Sequence, residues 1–255
     1  MWFMSSRYLL VVTAAAAAAT VAMPVPDATT AEVIKIGAPL ALTGSLSDES
    51  RKQDLVWGMW EAKVNAAGGI NVGGNKAKVE LVKYDYQSDG QRAGQLAEKL
   101  ITNDRVDFLF APFGSGHTKI VATVAERYET PIVACASSSE SVFDQGLKYL
   151  FGTLSPNGAS TNTMVTYLKS KVPNLKSIAV LGRDDVFPKS MAQGMSAAAK
   201  AASINVVYDQ LYPVGTIDHS SALTAIKVAN PNWIYVTGYT PVSYTHLTLP
   251  TKRIV

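Results

Sequence analysis

With 255 residues the chain has room for one large domain or two modest ones, and its 47% hydrophobic and 17% charged residues describe a folded body, not a disordered one. A formal net charge of +3 without any basic cluster excludes the electrostatic footprint of a nucleic-acid binder. The single cysteine, Cys135, excludes an internal disulfide.

The N-terminus sets one cation, Arg7, ahead of an apolar run from Tyr8 to about Ala22, and a Pro-rich polar stretch follows. This is the layout of a secretory signal peptide. The run falls short of the roughly 20 apolar residues that a membrane span needs. A cleavable leader over residues 1–31 is expected, cut after Ala31 or, as the alternative, after Ala22. A periplasmic location follows from it, and no cysteine stands at the cleavage site to carry a lipid.

From Val33 onward short apolar runs alternate with helical patterns. VIKIGAPL reads as a strand, and Asp54 to Ala67 as a helix that stops at the glycines of AAGGI. KVELVKYD is a second strand, and Ser88 or Asp89 can cap the helix that runs on to about Asn103. VDFLFA, a helix from Gly116 to Tyr128, and PIVACA complete this part. After LFGTLSPN the pattern starts again, with a helix from about Ala159 to Lys171, then SIAVLG, a helix from Ser190 to Ala202, INVVYDQ, a helix from Ser220 to Ala229, and WIYVTG.

Strands and helices in this alternation predict an α/β fold of two Rossmann-like lobes with parallel sheets, residues 32–153 and 154–241, joined through the short TLSPN crossing. Four strands precede the crossing and three follow it, so the second lobe is expected to be incomplete.

In such sheets ligands sit beyond the carboxyl ends of the strands, which selects the loops after Leu40, Ala111, Ala134 and Leu181. In APFGSGHT, Gly114 and Gly116 allow close backbone approach, and Ser115 offers a hydroxyl at the start of a helix, where exposed N–H donors suit an anion. Ser115 can equally be a helix cap and nothing more. ACASSSES supplies a second set of small hydroxyl residues, which can also be a turn that caps a short helix near Ser141 to Gln145.

No enzyme pattern stands out. A dehydrogenase would show G-x-G-x-x-G between the first strand and helix, and GAPLALTGSLS lacks it. A serine hydrolase would show G-x-S-x-G, where FGSGH has Phe113 and His117 in the outer positions. His117, His219 and His246 have no metal-ligand spacing. Neither a cofactor nor a metal is expected.

IKIGAPLALTGSLS, NAAGGINVGGNKAKVELVKYDYQSDGQRAGQLAEKLI, VDFLFAPFGSGHT and PIVACASSSESVF together resemble the periplasmic solute-binding proteins of ABC transporters for branched-chain amino acids, over about Val33 to Pro241. The resemblance implies two lobes of the type I periplasmic binding fold that close on a small amino-acid-like, carboxylate or amide solute and deliver it to a membrane permease, most simply as a monomer. It implies that Ser115 binds the solute's carboxylate, that Ala136 offers backbone groups, and that Ser138 offers a hydroxyl. It places Phe187 as an aromatic that closes over the solute and Tyr239 as an aromatic lining the cleft. Phe187 and Tyr239 can equally be surface aromatics. The family's amino-acid binders carry an acid near the first crossing, where this chain has Ser155 and Pro156, and the cysteine pair found in some members is replaced by Ser88 and Gly114. A ligand-sensing receptor domain of the same fold is the alternative function.

The chain ends VSYTHLTLPTKRIV. Read back into codons, Val242–Thr251 can be GTC TCT TAT ACA CAT CTG ACG CTG CCG ACG, the transposon end and adapter used in preparing DNA sequencing libraries. Residues 242–255 are therefore expected to be non-native, with no role for His246, Lys252 or Arg253, and the chain to be a fragment.

Overall fold

The computed structural model describes residues 33–239. The expected leader (residues 1–31) and the expected adapter-encoded tail (residues 242–255) lie outside the described residues.

Strand β1 (Val33–Leu40) is buried along nearly its whole length, as a central strand must be when both faces are covered. It pairs in parallel with β3 (Asn75–Asp85), from Val33 opposite Lys78 to Leu40 opposite Asp85. Between them lies α1 (Ser47–Ala66), which starts well before the predicted Asp54. Its first turn carries Asp48 and Glu49, favourable at a helix N-terminus. The buried Ser50 hydroxyl accepts the Ala41 N–H at 2.8 Å and so ties this early start to the end of β1.

β2 (Ile70–Val72) is a strand that the sequence reading did not include. It folds back on β3 as an antiparallel hairpin through Gly73 and Gly74, with φ of 58° and 94°. Two consecutive residues at positive φ are what a two-residue hairpin turn with the right twist requires, and a Gly-Gly pair provides them without steric cost.

The first sheet continues with α2 (Gly90–Thr102), β4 (Phe108–Phe110), α3 (Ser115–Arg127), β5 (Ile132–Ala134), α4 (Glu140–Phe143) and β6 (Leu150–Gly152). Asp89 caps α2 by accepting the Arg92 N–H at 2.7 Å. The strand order is β2-β3-β1-β4-β5-β6, with every pairing parallel except β2 with β3. This sheet thus has six strands where four were predicted.

The chain then enters α5 (Asn157–Lys171), β7 (Ser177–Arg183), α6 (Val186–Ala201), β8 (Asn205–Tyr212), α7 (Ser220–Ala229) and β9 (Trp233–Thr237). These build a separate parallel sheet in the order β8-β7-β9, with the predicted three strands. Each sheet has its own core. Leu100, Leu109, Val121 and Ile132 fill one, and Val165, Ile178, Val180 and Met195 fill the other. Tyr239, just beyond β9 of the second sheet, is buried in the core of the first.

Candidate binding cleft

The ends of five strands converge on one cavity of about 380 Å³. Glu49 reaches it from the helix after β1, Phe113 and Gly114 follow β4, Ala136 and Ser138 follow β5, Phe187 follows β7, and Tyr239 follows β9. Cys135, Leu154 and Gly238 complete its wall. Convergence beyond the carboxyl ends of parallel strands is the expected position for a ligand in this kind of sheet. Both sheets contribute, so a molecule held here touches both.

Four of the five residues singled out from the sequence line this cavity: Ala136, Ser138, Phe187 and Tyr239. Ser115 does not. Its side chain is fully buried one layer behind, in the first turn of α3. The Ser115 hydroxyl accepts the backbone N–H groups of Ser138 and Ser139, each at 3.3 Å, and the Ser137 hydroxyl at 3.2 Å. It is not the helix cap, a position taken by Gly114. With its lone pairs occupied, the hydroxyl has only its own hydrogen left to donate.

Gly114 adopts φ 89°, a conformation that disfavours side chains, and its N–H donates to the Ala136 carbonyl at 3.2 Å. A Cβ at this position would lie 3.2 Å from the Tyr239 hydroxyl. The two loops of the first sheet are therefore locked to each other, and Tyr239 rests on the point where they meet.

The aromatic wall is a stacked pair from the second sheet, met edge-on by one ring from the first. Phe187 and Tyr239 lie 6.0 Å apart at 24°, and Phe113 meets Tyr239 edge-on at 5.6 Å. Such pairs contribute about 0.5–1.5 kcal/mol beyond the area they bury. The Arg183 guanidinium lies 5.2 Å over the Tyr239 ring and pairs with Asp185 at 3.5 Å. Asp185 accepts the Val186 N–H at 2.7 Å and caps α6. Burial, with a smaller push from the Asp185 carboxylate, raises the Tyr239 phenol far above its ordinary value, so it is a neutral donor at any physiological pH. Behind the first sheet's loops the Tyr86 hydroxyl approaches His117 Nδ1 at 3.4 Å. Burial lowers the His117 pKa, opposed by the Asp185 carboxylate, so the ring is neutral at pH 7.

Sequence reasoning missed Glu49, Phe113, Cys135 and Leu154. Glu49 lies in LTGSLSDES, where extra residues obscure any register, and only the acidic first turn of α1 hinted that the helix began there. Phe113 and Cys135 stand next to residues that were identified, so strand-end position was the signal for both. Among the described residues no group of His, Cys, Asp and Glu could hold a metal ion.

The geometry is that of a two-lobed binding protein. A profile described as periplasmic binding protein matches residues 33–247, and the chain belongs to that family. Among its relatives, "Leu/Ile/Val-binding protein homolog 7" of Brucella abortus is 27% identical over 242 residues, covering 91% of this chain and 57% of the relative. The Leu/Ile/Val-binding protein of Escherichia coli is 24% identical over 224 residues, covering 88% and 59%. The chain thus spans less than two thirds of the length of these relatives.

Solved structures agree on the fold. The branched-chain amino acid transporter substrate binding protein LivJ from Streptococcus pneumoniae, in complex with isoleucine, superposes with a TM-score of 0.72 at 24% identity, covering 81% of this chain and 57% of that one. A solute binding protein of an ABC transporter from Rhodopseudomonas palustris, in complex with 3,4-dihydroxybenzoic acid, does so at 0.71 and 18% identity, covering 81% and 54%.

Proposed function

We propose that this protein is the extracytoplasmic solute-binding component of an ABC importer. Residues 32–153 and 154–241 act as two lobes that close on a small amino-acid-like, carboxylate or amide solute and hand it to a membrane permease. Residues 1–31 export it to the periplasm, where it works as a monomer. The observation that carries this reading is the convergence of strand ends from both sheets on one cavity with a polar side and an aromatic side. The names of the relatives support amino-acid binding, the solved neighbours, both binding proteins of transporters, support the transport role, and their solutes, isoleucine and a dihydroxybenzoate, support the size and the carboxylate.

In this reading the loops after β4 and β5 receive the carboxylate, through Ser138 and the backbone at Ala136, while Ser115 holds the second loop in place from behind. Phe187 and Tyr239 cover the solute's apolar part. Glu49, a carboxylate on the same cavity, takes up the solute's N–H or O–H donor, a role for which the TLSPN crossing has no acid.

Isothermal titration of the protein with isoleucine, leucine, glutamine and 4-hydroxybenzoate tests it. Saturable binding of at least one, lost in Ser138→Ala and Phe187→Ala, is the expected result. Absence of binding by every small carboxylate and amide would remove the solute-binding reading.

A further inference from the structure

We propose that Glu140 is a positioning residue of the cleft: its carboxylate joins the loop bearing Ala136 and Ser138 to the helix bearing Phe187. Its importance for capture rests on the solute-binding reading above, but the linkage itself does not.

Glu140 opens α4 immediately after the serine-rich loop of the first sheet. One carboxylate oxygen accepts the Gly158 N–H at 2.6 Å, in the first turn of α5. The other accepts the Ser190 hydroxyl at 2.7 Å, on α6. Ser190 in turn accepts from the Asn157 side-chain amide at 3.0 Å, and the Asn157 backbone N–H donates to the Ser138 carbonyl at 3.0 Å. The bonds form a closed ring: from Ser138 to Asn157, across to Ser190, and back through Glu140, two residues from the start. Phe187 lies three residues before Ser190, on the same side of α6.

This is more than a helix cap. The residue at the N-cap of α5, Pro156, makes no side-chain hydrogen bond, so the first turn of that helix takes its anion from another element. Glu140 completes it and with its second oxygen also holds α6. One side chain thereby fixes where Phe187 stands relative to Ser138.

Burial by itself would raise the pKa of this carboxyl. The N–H groups of Gly158 and of Glu140 itself and the Ser190 hydroxyl outweigh burial and hold it below 4.5. On α3, which packs against α4, Glu126 accepts the Lys148 and Tyr149 N–H groups and Arg127 pairs with Glu98. Asp185 caps α6, Lys189 pairs with Asp184 at 3.0 Å, and the basic residues of α5 are in its last turn. Asp144 closes α4. The ring closes on the Glu140 carboxylate itself, so it weakens as pH falls through the folded-state pKa of that group.

Hydrogen–deuterium exchange without solute tests this, comparing wild type with Glu140→Gln and Ser190→Ala, with rates corrected for intrinsic pH dependence. Glu140→Gln keeps the shape and removes the charge. It is expected to speed exchange by roughly tenfold or more in three segments together, 136–139, 157–161 and 186–192, because the amide has one accepting oxygen where the carboxylate has two, so one charge-assisted hydrogen bond is lost and the other weakened. Ser190→Ala leaves the Gly158 bond in place and is expected to speed exchange in 186–192 and not in 157–161. Wild type should approach the Glu140→Gln pattern as pH is taken below the folded-state pKa of Glu140, which lies under 4.5. Faster exchange confined to 157–161 in Glu140→Gln, or an unchanged 186–192 in Ser190→Ala, would reduce Glu140 to a cap and overturn the proposal. Because solute is absent throughout, these outcomes are independent of whether the cleft binds one.

Discussion

The Ser138 N–H donates to the Ser115 hydroxyl at 3.3 Å, so the loop after β5 hangs from the first turn of the helix after β4. Ser115→Ala removes the acceptor shared by two buried N–H groups and leaves them unsatisfied. A loss of about 1–3 kcal/mol in unfolding free energy is expected, measured by urea titration. Ser115→Thr keeps the oxygen and should lose less, unless its extra methyl meets the packed loop.

Gly114→Ala adds a Cβ at φ 89° and sets it 3.2 Å from the Tyr239 hydroxyl. The backbone strain costs about 1–3 kcal/mol. The steric part is separable: adding Tyr239→Phe removes the oxygen that the new methyl meets and should restore a fraction of the stability. If the double variant is no more stable than Gly114→Ala alone, backbone strain accounts for the whole effect. Urea midpoints of the four proteins in this cycle decide between the two.

His117 is half-buried and neutral, with its folded-state pKa below 6.5. The unfolded chain binds its proton more readily, so this group's contribution is fully present above about pH 6.5 and is lost as pH falls from there toward the folded-state pKa. Stability should therefore rise with pH across that window. His117→Gln should flatten the rise, measured as urea midpoints between pH 5 and 8. An unchanged slope would assign the window to other groups.

Glu49 pairs with Lys52 at 2.9 Å on the surface of α1, an i,i+3 contact worth at most about 1 kcal/mol. Glu49→Gln should change stability by no more than about 0.5 kcal/mol. It should weaken binding of solutes that carry an ammonium group more than of those that do not. Titration with isoleucine against 4-hydroxybenzoate provides the comparison. An equal change for both would show that the carboxylate does not distinguish them.

Much of this architecture can be read from periodicity. β1 and β7 are long apolar runs and β3 alternates apolar with polar residues, so each shows as a strand from its own residues. β2 and β6 are three residues each, too short for a period to show, and are strands because a neighbour offers hydrogen-bonding groups. The Gly73-Gly74 pair is the local sign of that hairpin.

At the cleft, strand-end position selects the loop after Ala134, and the resemblance picks out Ala136 and Ser138 within it, as it does Phe187 and Tyr239. Neither could show that the Ser115 hydroxyl turns away from the cavity to bind the next loop, because that depends on how two loops remote in sequence settle on each other. The same holds for Glu140, whose two partners lie 18 and 50 residues downstream.

Cys135 is the only thiol of the chain, and it lies half-buried on the wall of the cleft, with the Gln53 amide donating to its sulfur at 3.6 Å. The molecule thus contains its own single-site chemical reporter. A thiol-directed probe labels one atom only, and under the proposed function a solute in the cleft would shield that atom. The rate of alkylation would then follow occupancy directly, without an engineered cysteine or a labelled ligand.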